Sequence, residues 1–497
     1  MNAILSDFGI INVLDRGADP TGNLDSTTAF LSAYLIAGQT GLGRVYIPGG
    51  KYLLTGLILS QYNNVKFIGS TAGDSAYGGT LLINSNTSEP IITVSNVSGI
   101  WFENIGFTSS QQMTASSLIL FNNGTNYCGM SDFHMDSGFN GITIDGGGEF
   151  WLRRGSIRNF NNYGIYVTNN AADIYCTNII MDQDSSTFTP QAGVYTDSTG
   201  GSLNITDSDI LHCHNGFWAN PGIGNFVNWV YMSNVYFDTA DFSTNGAGGG
   251  CGIKITPNNG GIFNGGSLVN VWTATATIGI YAVGDATSQL SGLQLTNWIA
   301  FNNWQEGGYF DYCDHLSIAN QIVAGNGQET PQTTYSGIFI GSHNGYYVSS
   351  AETVSSSYSF VGGSNGSPIE GYGNTQKFGF FIDSGFSGTV QIIGINLSGN
   401  YVSSIYNGGS PASGSIINNC IGYNPQGITS ISVGASPFYY TAGLAAESIS
   451  IYGGSGIVCS IGDIAIINQS PASFVLQPLQ TVAISYSTAP TVISNKS

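Results

Sequence analysis

FENIGF, at residues 102–107, is the clearest copy of a short motif that recurs along the chain. In this motif an apolar residue and a spacer precede Asn or Asp, and an apolar-x-apolar triplet follows. Close copies are MSDFHM (130–135), CTNIIM (176–181) and MSNVYF (232–237), and looser ones are ITDSDI (205–210) and LTNWIA (295–300). Alternation with a period of two predicts β-strands. A repeat of roughly two to three dozen residues predicts a solenoid rather than a globular sheet.

A second motif, a Gly followed by a short alternating run, interleaves with the first. In a coil of short strands, each strand stacks on its copy in the next turn, and a continuous column of apolar side chains is buried along the axis. The interleaved motifs therefore predict an all-β fold, a parallel β-helix. Copies of the second motif are NGITID (140–145), YGIYVT (163–168), AGVYTD (192–197), CGIKIT (251–256), IGIYAV (278–283) and SGIFIG (336–341).

The Asn or Asp of the first motif is predicted to be a turn residue whose amide or carboxyl group hydrogen-bonds its own backbone. The spacing between copies varies, as expected where loops of different length interrupt similar rungs. Arg154 and Gly265 depart from the pattern. The aligned positions, called here the ladder, are Asn104, Asp132, Arg154, Asn178, Asp207, Asn234, Gly265, Asn297 and Asn320.

Charged residues make up 8% of the 497 residues, against about 25% in ordinary soluble domains. The net charge of −19 would repel a nucleic acid or an anionic membrane, so neither is predicted as a partner. No run of 18 apolar residues predicts a transmembrane helix, and the opening MNAILSDFGI lacks the features of a secretory signal. We expect an extracellular or virion-associated protein whose signal was removed or that leaves its cell by lysis.

Seven cysteines are scattered along the chain without a CxxC pair. We expect them to be free thiols buried as small hydrophobic side chains, which suits assembly in a reducing compartment. His212, Cys213 and His214 are the nearest approach to a zinc site. Successive strand residues point to opposite faces, however, so these three make a poor chelate. No metal or other cofactor is predicted.

The chain is predicted to have three parts. Residues 1–64 form a cap that covers the open end of the coil, with a helix at 26–37 stopped by Gly38 and a strand at 44–52 broken by a Pro-Gly-Gly turn. Residues 65–425 form the β-helix. Beyond them the sequence changes to short runs separated by turns, which predicts a small antiparallel β-domain at residues 426–497.

The cap sequence also carries a resemblance. GADPTGNLDSTTAFLSAYLIAG (17–38) followed by GRVYIPGGKYLL (43–54) resembles the N-terminal signature of the pectate-lyase superfamily. These right-handed β-helix proteins include bacteriophage tailspikes and many polysaccharide depolymerases. The resemblance implies a right-handed coil, structural roles for Asp15, Asp19 and Asp25, and, through the tailspikes, a homotrimer. It does not fix the chemistry, because relatives include hydrolases, lyases, epimerases and inactive members.

Strand alternation predicts which side chains face solvent. The first and third residues after each ladder position point inward, and the second and fourth point outward. The fourth positions form one column and the second positions another, and together they make an acidic wall with Asp184 just beyond it. The fourth positions are Thr108, Asp136, Arg158, Asp182, Leu211 and Asp238; the second positions are Gly106, His134, Ser156, Ile180, Asp209 and Tyr236.

Asp182 and Asp209 are diagonal neighbours on this wall, about 8 Å apart at the backbone. Inverting glycosidases hold their carboxyl groups ~6.5–9.5 Å apart. The hypothesis is an inverting glycoside hydrolase that cuts an extracellular or capsular polysaccharide with Asp182 and Asp209 as acid and base. Asp238 and Asp184 are further catalytic candidates. The predicted substrate-binding residues are His134, Asp136, Arg158, His212, Tyr236 and Trp218.

Three alternatives stay open. The wall can be a row of solvated charged side chains that keeps the coil soluble. It can also be a lyase site built on Arg158 with Asp136 and Asp182. The protein can also be a non-catalytic, tailspike-like adhesin that binds carbohydrate, because a fold does not determine a function. A second candidate site combines Glu306, Asp311, Asp314 and His315.

Overall fold

The structure is a computed structural model that describes residues 9–73, 78–183, 190–238, 249–329, 334–350, 360–362, 375–424 and 427–496. Two compact units divide the chain, Met1–Gln294 and Leu295–Ser497. This division differs from the boundaries expected after residues 64 and 425, which remain a prediction.

The first unit holds a 3₁₀ helix, Val13–Arg16, the helix α1, Thr27–Gln39, and most of the parallel strands. Its strands are β1 (Ile11–Asn12), β2 (Thr21–Asp25), β3 (Arg44–Ile47), β4 (Gly50–Leu54), β5 (Leu57–Leu59), β6 (Lys66–Gly69), β7 (Thr80–Asn84), β8 (Ile92–Ser95), β9 (Trp101–Ser109), β10 (Ser117–Asn122), β11 (Asn126–Asp136), β12 (Asn140–Asp145), β13 (Gly148–Arg158), β14 (Tyr163–Thr168), β15 (Ala172–Asp182), β16 (Ala192–Thr196), β17 (Leu203–Leu211), β18 (Asn215–Ala219), β19 (Phe226–Asp238), β20 (Cys251–Ile255), β21 (Ile262–Ala274) and β22 (Ile278–Val283), and β23 (Gln289–Thr296) begins in it.

The second unit continues with short strands and ends in antiparallel ones. Its strands are β24 (Ile299–Phe301), β25 (Gly308–Asp311), β26 (Cys313–Asp314), β27 (Leu316–Ala319), β28 (Ile322–Ala324), β29 (Ile338–Ile340), β30 (Tyr346–Ser350), β31 (Phe360–Gly362), β32 (Phe378–Ile382), β33 (Thr389–Ile393), β34 (Ser403–Asn407), β35 (Ile416–Asn418), β36 (Gly427–Ile431), β37 (Phe438–Thr441), β38 (Glu447–Tyr452), β39 (Val458–Ile461), β40 (Ile464–Ile467), β41 (Ala472–Leu476), β42 (Thr481–Ser485) and β43 (Thr491–Lys496).

The parallel strands form the predicted right-handed β-helix. In the first unit the long strands β9, β11, β13, β15, β17, β19 and β21 pair with one another in register, and the short strands β8 to β22 of even number form a second sheet. Ile179, Met181, Val235 and Phe237 are each no more than 1% exposed. The predicted inward phase of the first motif is therefore confirmed.

The ladder residues lie at a bend within each long strand, where the backbone is left-handed. Asn104, Asp132, Arg154, Asn178, Asp207 and Asn234 all have φ between 50° and 59°. For Asp132, Arg154, Asp207 and Asn234 the expected bond to their own backbone is wrong, because these side chains bond one another across neighbouring rungs. Arg154 donates to Asp132 through Nε at 2.7 Å and Nη2 at 2.6 Å, and Asn234 Nδ2 donates to Asp207 Oδ1 at 2.9 Å. A left-handed bend turns the side chain outward, where its copy lies only one rung spacing away, about 4.8 Å.

Gly265 was misplaced in the ladder. Ser233 pairs with Val269 and Val235 with Val271, so Asn270 is the residue opposite Asn234. Asn270 has a φ of 53° and donates to Asn234 Oδ1 at 3.0 Å. Gly265 instead lies opposite Trp229, at a second bend nearer the start of the long strands.

The Gly of the second motif allows adjacent rungs to approach closely. A Cβ built on Gly164 would lie 2.7 Å from the carbonyl oxygen of Gly193, one on Gly193 would lie 2.8 Å from that of Gly216, and one on Gly216 would lie 2.6 Å from that of Gly252. Real Cβ atoms are essentially never found this close to another atom, so no larger residue fits at these positions. The glycines therefore form a column of backbone contacts along the short-strand sheet.

The cap helix α1 covers apolar residues at the start of the coil, with Phe30, Ala33, Tyr34 and Ala37 fully buried. It ends at Gln39 rather than before Gly38. Gly38 packs against Tyr62, and a Cβ there would lie 2.3 Å from the Tyr62 side chain, so this glycine serves close packing. Ser26 precedes the helix without capping it, and its hydroxyl accepts from the backbone of Asp19 at 2.9 Å.

Asp19 and Asp25 bind the cap backbone. The Asp19 carboxylate accepts from the Thr21 hydroxyl and from three backbone N–H groups, and these bonds lower its pKa to about 2. Asp25 accepts from the backbone of Thr27 at 2.9 Å. Both carboxylates therefore hold the turn that leads into the helix.

All seven cysteines are free and buried, as the sequence predicts. Burial raises the pKa of the Cys176 thiol to about 12, so it stays a neutral apolar side chain. Within the described residues, no helix is long and apolar enough to cross a membrane.

The end of the second unit consists of two four-stranded antiparallel sheets, β36-β43-β38-β41 and β37-β42-β39-β40. Ile449, Ile451, Val482 and Val492 are fully buried among their core residues. Glu447 is buried beside them and accepts hydrogen bonds from Ser494, Tyr440 and the Gly443 backbone. Burial alone would raise the pKa of this carboxyl group, but the bonds outweigh it and lower the pKa.

Candidate functional site

The two columns of the acidic wall are present in the register of the long strands. In the outer column Asp136 pairs with Thr108 and Arg158, Arg158 pairs with Asp182, and Leu211 pairs with Asp238. In the inner column Ile180 pairs with Asp209, and Asp209 pairs with Tyr236. Asp182 and Asp209 therefore lie on adjacent rungs and two residues apart along the strand, as the alternation predicts.

His212 holds the carboxylate of Asp182. The strand β17 ends at Leu211, and the left-handed backbone of His212, with a φ of 57°, follows at once. His212 Nδ1 lies 2.6 Å from Asp182 Oδ1, and the two side chains are 26% and 27% exposed. An imidazole at this distance fixes the orientation of the carboxylate while leaving it open to solvent.

Two other carboxylates of the outer column, those of Asp136 and Asp238, are also held by neighbours. Asp136 accepts from Asn159 Nδ2 at 3.0 Å and from the Ser137 hydroxyl at 3.1 Å, and Asp238 accepts from the Thr275 hydroxyl. Asp182 and Asp238 are the last residues of their strands. Asp184 lies outside the described residues, and its predicted role stays a prediction.

The residues around His212 do not form a metal site. Cys213 is 1% exposed and points into the coil, so its thiol cannot bind the same metal ion as the outward-facing His212. Burial raises the pKa of the Cys213 thiol, and the charge of Asp182 raises it further. Across the described ranges, no three His, Cys, Asp or Glu side chains gather in a way that could hold a metal ion.

Trp218 does not join the wall. It lies in β18, on the short-strand sheet, and three residues separate this strand from β17. Its indole Nε1 donates to the Thr256 hydroxyl at 2.8 Å, and the ammonium of Lys254 lies 4.8 Å from its ring centre. Trp218 is near Asp209 in sequence but faces a different direction, because the turn between β17 and β18 takes the chain from one sheet to the other.

Trp218 belongs to an aromatic face that the sequence analysis missed. Tyr163 and Tyr195 stack at 4.3 Å, Tyr195 meets Trp218 edge-on at 5.1 Å, and the Tyr166 hydroxyl donates to Asp197 at 2.8 Å. The signal was available in the outward position after each motif Gly. That column reads Thr143, Tyr166, Tyr195, Trp218, Lys254 and Tyr281.

The second candidate site separates into three groups. Asp314 forms an ion pair with its neighbour His315, at 2.8 Å, and both are exposed. Asp311 lies 3.2 Å from His343 Nδ1, and the His343 ring stacks on Tyr312 at 3.9 Å. Glu306 is 7% exposed and belongs to neither group. The four residues expected from sequence are therefore not one site.

Glu306 is a buried carboxyl group with a strongly shifted pKa. Burial raises its pKa to about 7, and the charge of Glu329 adds to the effect. Glu329 itself accepts from Gln305 Nε2 at 2.9 Å. Two carboxyl groups in one environment can separate into a protonated and an ionised member, the condition that acid–base catalysis requires.

Replacement of Glu306 by Gln should change how stability depends on pH. Between the ordinary pKa of 4.5 and the folded value of about 7, the unfolded chain loses this proton while the folded chain keeps it. Stability therefore falls as the pH rises through that range, by about 3 kcal/mol, and is constant above it. Urea unfolding should show Glu306→Gln equal to wild type at pH 4.5 and more stable at pH 8.

The exposed carboxyl group of Asp314 provides the control, since Asp314→Asn should leave the unfolding free energy unchanged at both pH values. A wild-type-like pH profile for Glu306→Gln would contradict the shift.

Comparison with known proteins finds one family match, over part of the chain, and several similar solved structures. Residues 10–89 match the family described as rhamnogalacturonase A/epimerase, pectate lyase-like. No curated protein matches the chain. A variant of the tailspike protein of E. coli bacteriophage HK620 is 11% identical, with a TM-score of 0.57 over 100% of this chain and 94% of its own.

Two further solved structures are similar. Another variant of the same tailspike, in complex with a pentasaccharide, is 12% identical over the same shares, with a TM-score of 0.53. The A-module of the mannuronan C-5 epimerase AlgE4 of Azotobacter vinelandii is 14% identical over 81% of this chain and 99% of its own, with a TM-score of 0.50. At identities this low, the similarities establish the fold alone.

Proposed function

We propose that this chain, a pectate-lyase-like β-helix protein that resembles bacteriophage tailspikes, cuts a polysaccharide by hydrolysis of its glycosidic bonds. A polysaccharide-processing role is supported by the comparisons, which include a tailspike in complex with a pentasaccharide and an epimerase of mannuronan. The hydrolytic step rests on one observation in this chain. Asp182 and Asp209 face outward on adjacent rungs, and His212 orients Asp182.

The spacing of these two carboxyl groups suits inversion. Adjacent strands lie about 4.8 Å apart and two residues span about 6.6 Å, so the diagonal is about 8 Å at the backbone. This separation leaves room for a water molecule between a base and the anomeric carbon. The retaining geometry requires a shorter distance, about 5–5.5 Å.

The contacts suggest which residue plays which role. With a proton on His212 Nδ1, which lies 2.6 Å from Asp182 Oδ1, this carboxylate is held as an acceptor and serves as the base that takes a proton from water. The water oxygen then bonds to the anomeric carbon while the glycosidic bond breaks. Asp209 gives its proton to the departing sugar oxygen, and its column neighbours Ile180 and Tyr236, about half exposed, pack against the sugar rings.

Arg158 and Asp136 occupy the next rungs of the outer column and would contact the neighbouring sugar of the chain. His134, in the inner column of the same strand as Asp136, faces the same side. Asp238 continues the column on the other side of Leu211. The wall thus offers several rungs along which a polymer can extend.

Incubation with a panel of bacterial and plant polysaccharides tests this proposal. Reducing ends and the ultraviolet absorbance of unsaturated sugars are followed together. New reducing ends without unsaturation are the expected result. Unsaturated products would replace the hydrolase with a lyase on the same wall, and binding without cleavage would leave a carbohydrate-binding adhesin.

The proposal includes a homotrimer that works outside the cell or on a virion. Support for the assembly comes from apolar side chains on the antiparallel strands: Ile428 and Ile464 are each 72% exposed, and Val475 is 56% exposed. Apolar surface of this kind marks a protein interface when it is contiguous. The place of action is tested by immunoblots of purified virions and cell-free medium, and detection only inside intact cells would exclude it.

Light scattering should therefore give three times the chain mass of 52.1 kDa. Ile464→Lys places a charge on the exposed strand β40 and should lower the mass to that of one chain. Lys51→Ala, on the exposed side of the cap strand β4, is the control and should keep the larger mass. A wild-type mass of 52.1 kDa would remove the trimer from the proposal.

A further inference from the structure

A cavity of about 370 Å³ opens on the long-strand sheet near the cap. It lies before the ladder bend of each strand, whereas Asp182 and Asp209 lie after it, so the bend separates the two surfaces. Its volume is within the range that holds a small ligand. The lining residues are Asn64, Lys66, Gly99, Trp101, Tyr127 and Trp151.

A stack of aromatic rings forms one side of the cavity. Trp101 and Trp151 are 5.8 Å apart at their ring centres with 21° between their planes, and Trp151 and Tyr175 are 5.9 Å apart with 13°. Trp101 and Trp151 are two rungs apart, since Gly129 pairs with both. Two strand spacings amount to about 9.6 Å, which is more than the distance between the ring centres, so the rings lean toward one another.

Gly129 makes that contact possible. A Cβ at this position would lie 2.9 Å from the Trp101 ring and 2.5 Å from the Trp151 carbonyl oxygen. Trp101 leans over this glycine toward Trp151, and the residue that pairs with Trp101 on its other side is Lys66. Lys66 and Trp101 both line the cavity.

Charged groups lie next to two of the lining residues, Lys66 and Trp151. Lys66 forms an ion pair with Glu103, and the guanidinium of Arg153 lies 5.9 Å from the centre of the Trp151 ring. The chain has only ten Lys and Arg residues, and two of them lie at this one place. Tyr127 is 54% exposed and closes another side.

We propose that this cavity binds a sugar ring of a glycan chain, at a second site that holds the polymer without cutting it. The C–H faces of a pyranose pack on aromatic rings, and amphipathic aromatic side chains suit such a contact. Lys66, Arg153 and the Asn64 amide donate hydrogen bonds to hydroxyl or carboxylate oxygens of the sugar, and Glu103 accepts from its hydroxyls. Binding here requires no proton transfer and is independent of Asp182 and Asp209.

Two exposed aromatic residues supply a matched pair of variants. Tyr127 and Trp229 occupy the same position of their long strands, with φ values of 55° and 53°, and are 54% and 51% exposed. Only Tyr127 lines the cavity. Asn tolerates a positive φ, so Tyr127→Asn and Trp229→Asn remove equivalent rings without straining the backbone. Trp151→Ala removes the central ring of the stack as a third variant.

Native electrophoresis in gels containing polygalacturonate, alginate, dextran or xylan tests the site. All proteins carry Asp182→Asn and Asp209→Asn, so that the polymers stay intact. The parent should be retarded by at least one polymer, and Tyr127→Asn and Trp151→Ala should weaken its apparent affinity about tenfold or more, as loss of a central aromatic contact does. Trp229→Asn should be retarded as strongly as the parent.

The outcomes separate this site from the proposed hydrolase. No retardation by any of the four polymers, or equal retardation of the parent, Tyr127→Asn and Trp151→Ala, overturns the second site whatever the activity of the wild type. Loss of retardation in Trp229→Asn as well would show a general effect of the substitutions and also overturn it. Melting curves of Tyr127→Asn confirm its fold. With the wild-type carboxylates restored, Tyr127→Asn should cut short oligosaccharides at the wild-type rate.

Discussion

Asp182→Asn and Asp209→Asn are each expected to slow cleavage of the polysaccharide by about 10²- to 10⁴-fold, because each removes a group that transfers a proton in the transition state. Both side chains point out of the coil and are not needed for its core. Unfolding free energies should therefore stay within about 0.5–1 kcal/mol of wild type, the larger change falling on Asp182 because it contacts His212. Initial rates of reducing-end formation, with melting curves for each variant, provide the measurement.

Asp207→Asn is the matched control for these variants. Asp207 is an exposed carboxylate two residues before Asp209 on the same strand, and it accepts from Asn234 at 2.9 Å. Asp207 lies at the bend rather than on the wall, so the Asp207→Asn variant should cut the polymer at close to the wild-type rate. If Asp182→Asn and Asp209→Asn also cut at that rate, the wall only keeps the coil soluble. The buried Glu306 then becomes the better catalytic candidate.

Gly216→Val is expected to destabilise the first unit by about 3 kcal/mol or more, the upper part of the range for overpacked cores. The first side-chain atom would lie 2.3 Å from the Phe237 ring and 2.6 Å from the Gly252 carbonyl oxygen. The backbone cannot move aside, because β18 pairs with β16 on one side and β20 on the other. Urea denaturation of the variant and the wild type measures the loss.

Gly222 provides the control for this substitution. It lies three residues after β18, and the nearest atom to a Cβ built there is 3.9 Å away. Gly222→Ala should therefore leave the unfolding midpoint nearly unchanged. A stable Gly216→Val with a wild-type midpoint would show that the rungs do not approach as closely as the structure has them.

The fold could be predicted from sequence because each rung repeats the same alternating pattern of apolar and polar residues. Ile179, Met181, Val235 and Phe237 keep a strand period of two, so their inward direction follows without knowledge of the loops. Gly265 was placed wrongly for the converse reason. The long strand β21 has two bends, and spacing alone does not distinguish Gly265 at the first bend from Asn270 at the second.

The candidate site was predicted less well, because its contacts cross from one rung to the next. Alternation placed Asp182 and Asp209 in neighbouring columns, but His212 reaches Asp182 across 30 residues from a turn where the alternation stops. The contact of Asp311 with His343, 32 residues apart, was hidden in the same way. Trp218 was predicted to bind the substrate together with wall residues, but the turn before β18 places it on the other sheet.

A crystal structure of the Asp209→Asn protein with an oligosaccharide of its polymer tests the central claim most directly. This variant keeps His212 and Asp182 in place but should cut too slowly to lose the ligand. The account predicts a glycosidic oxygen within hydrogen-bond distance of residue 209 and an ordered water between Asp182 and the anomeric carbon. An oligosaccharide bound instead along Tyr195, Trp218 and Lys254, with the wall empty, would contradict it.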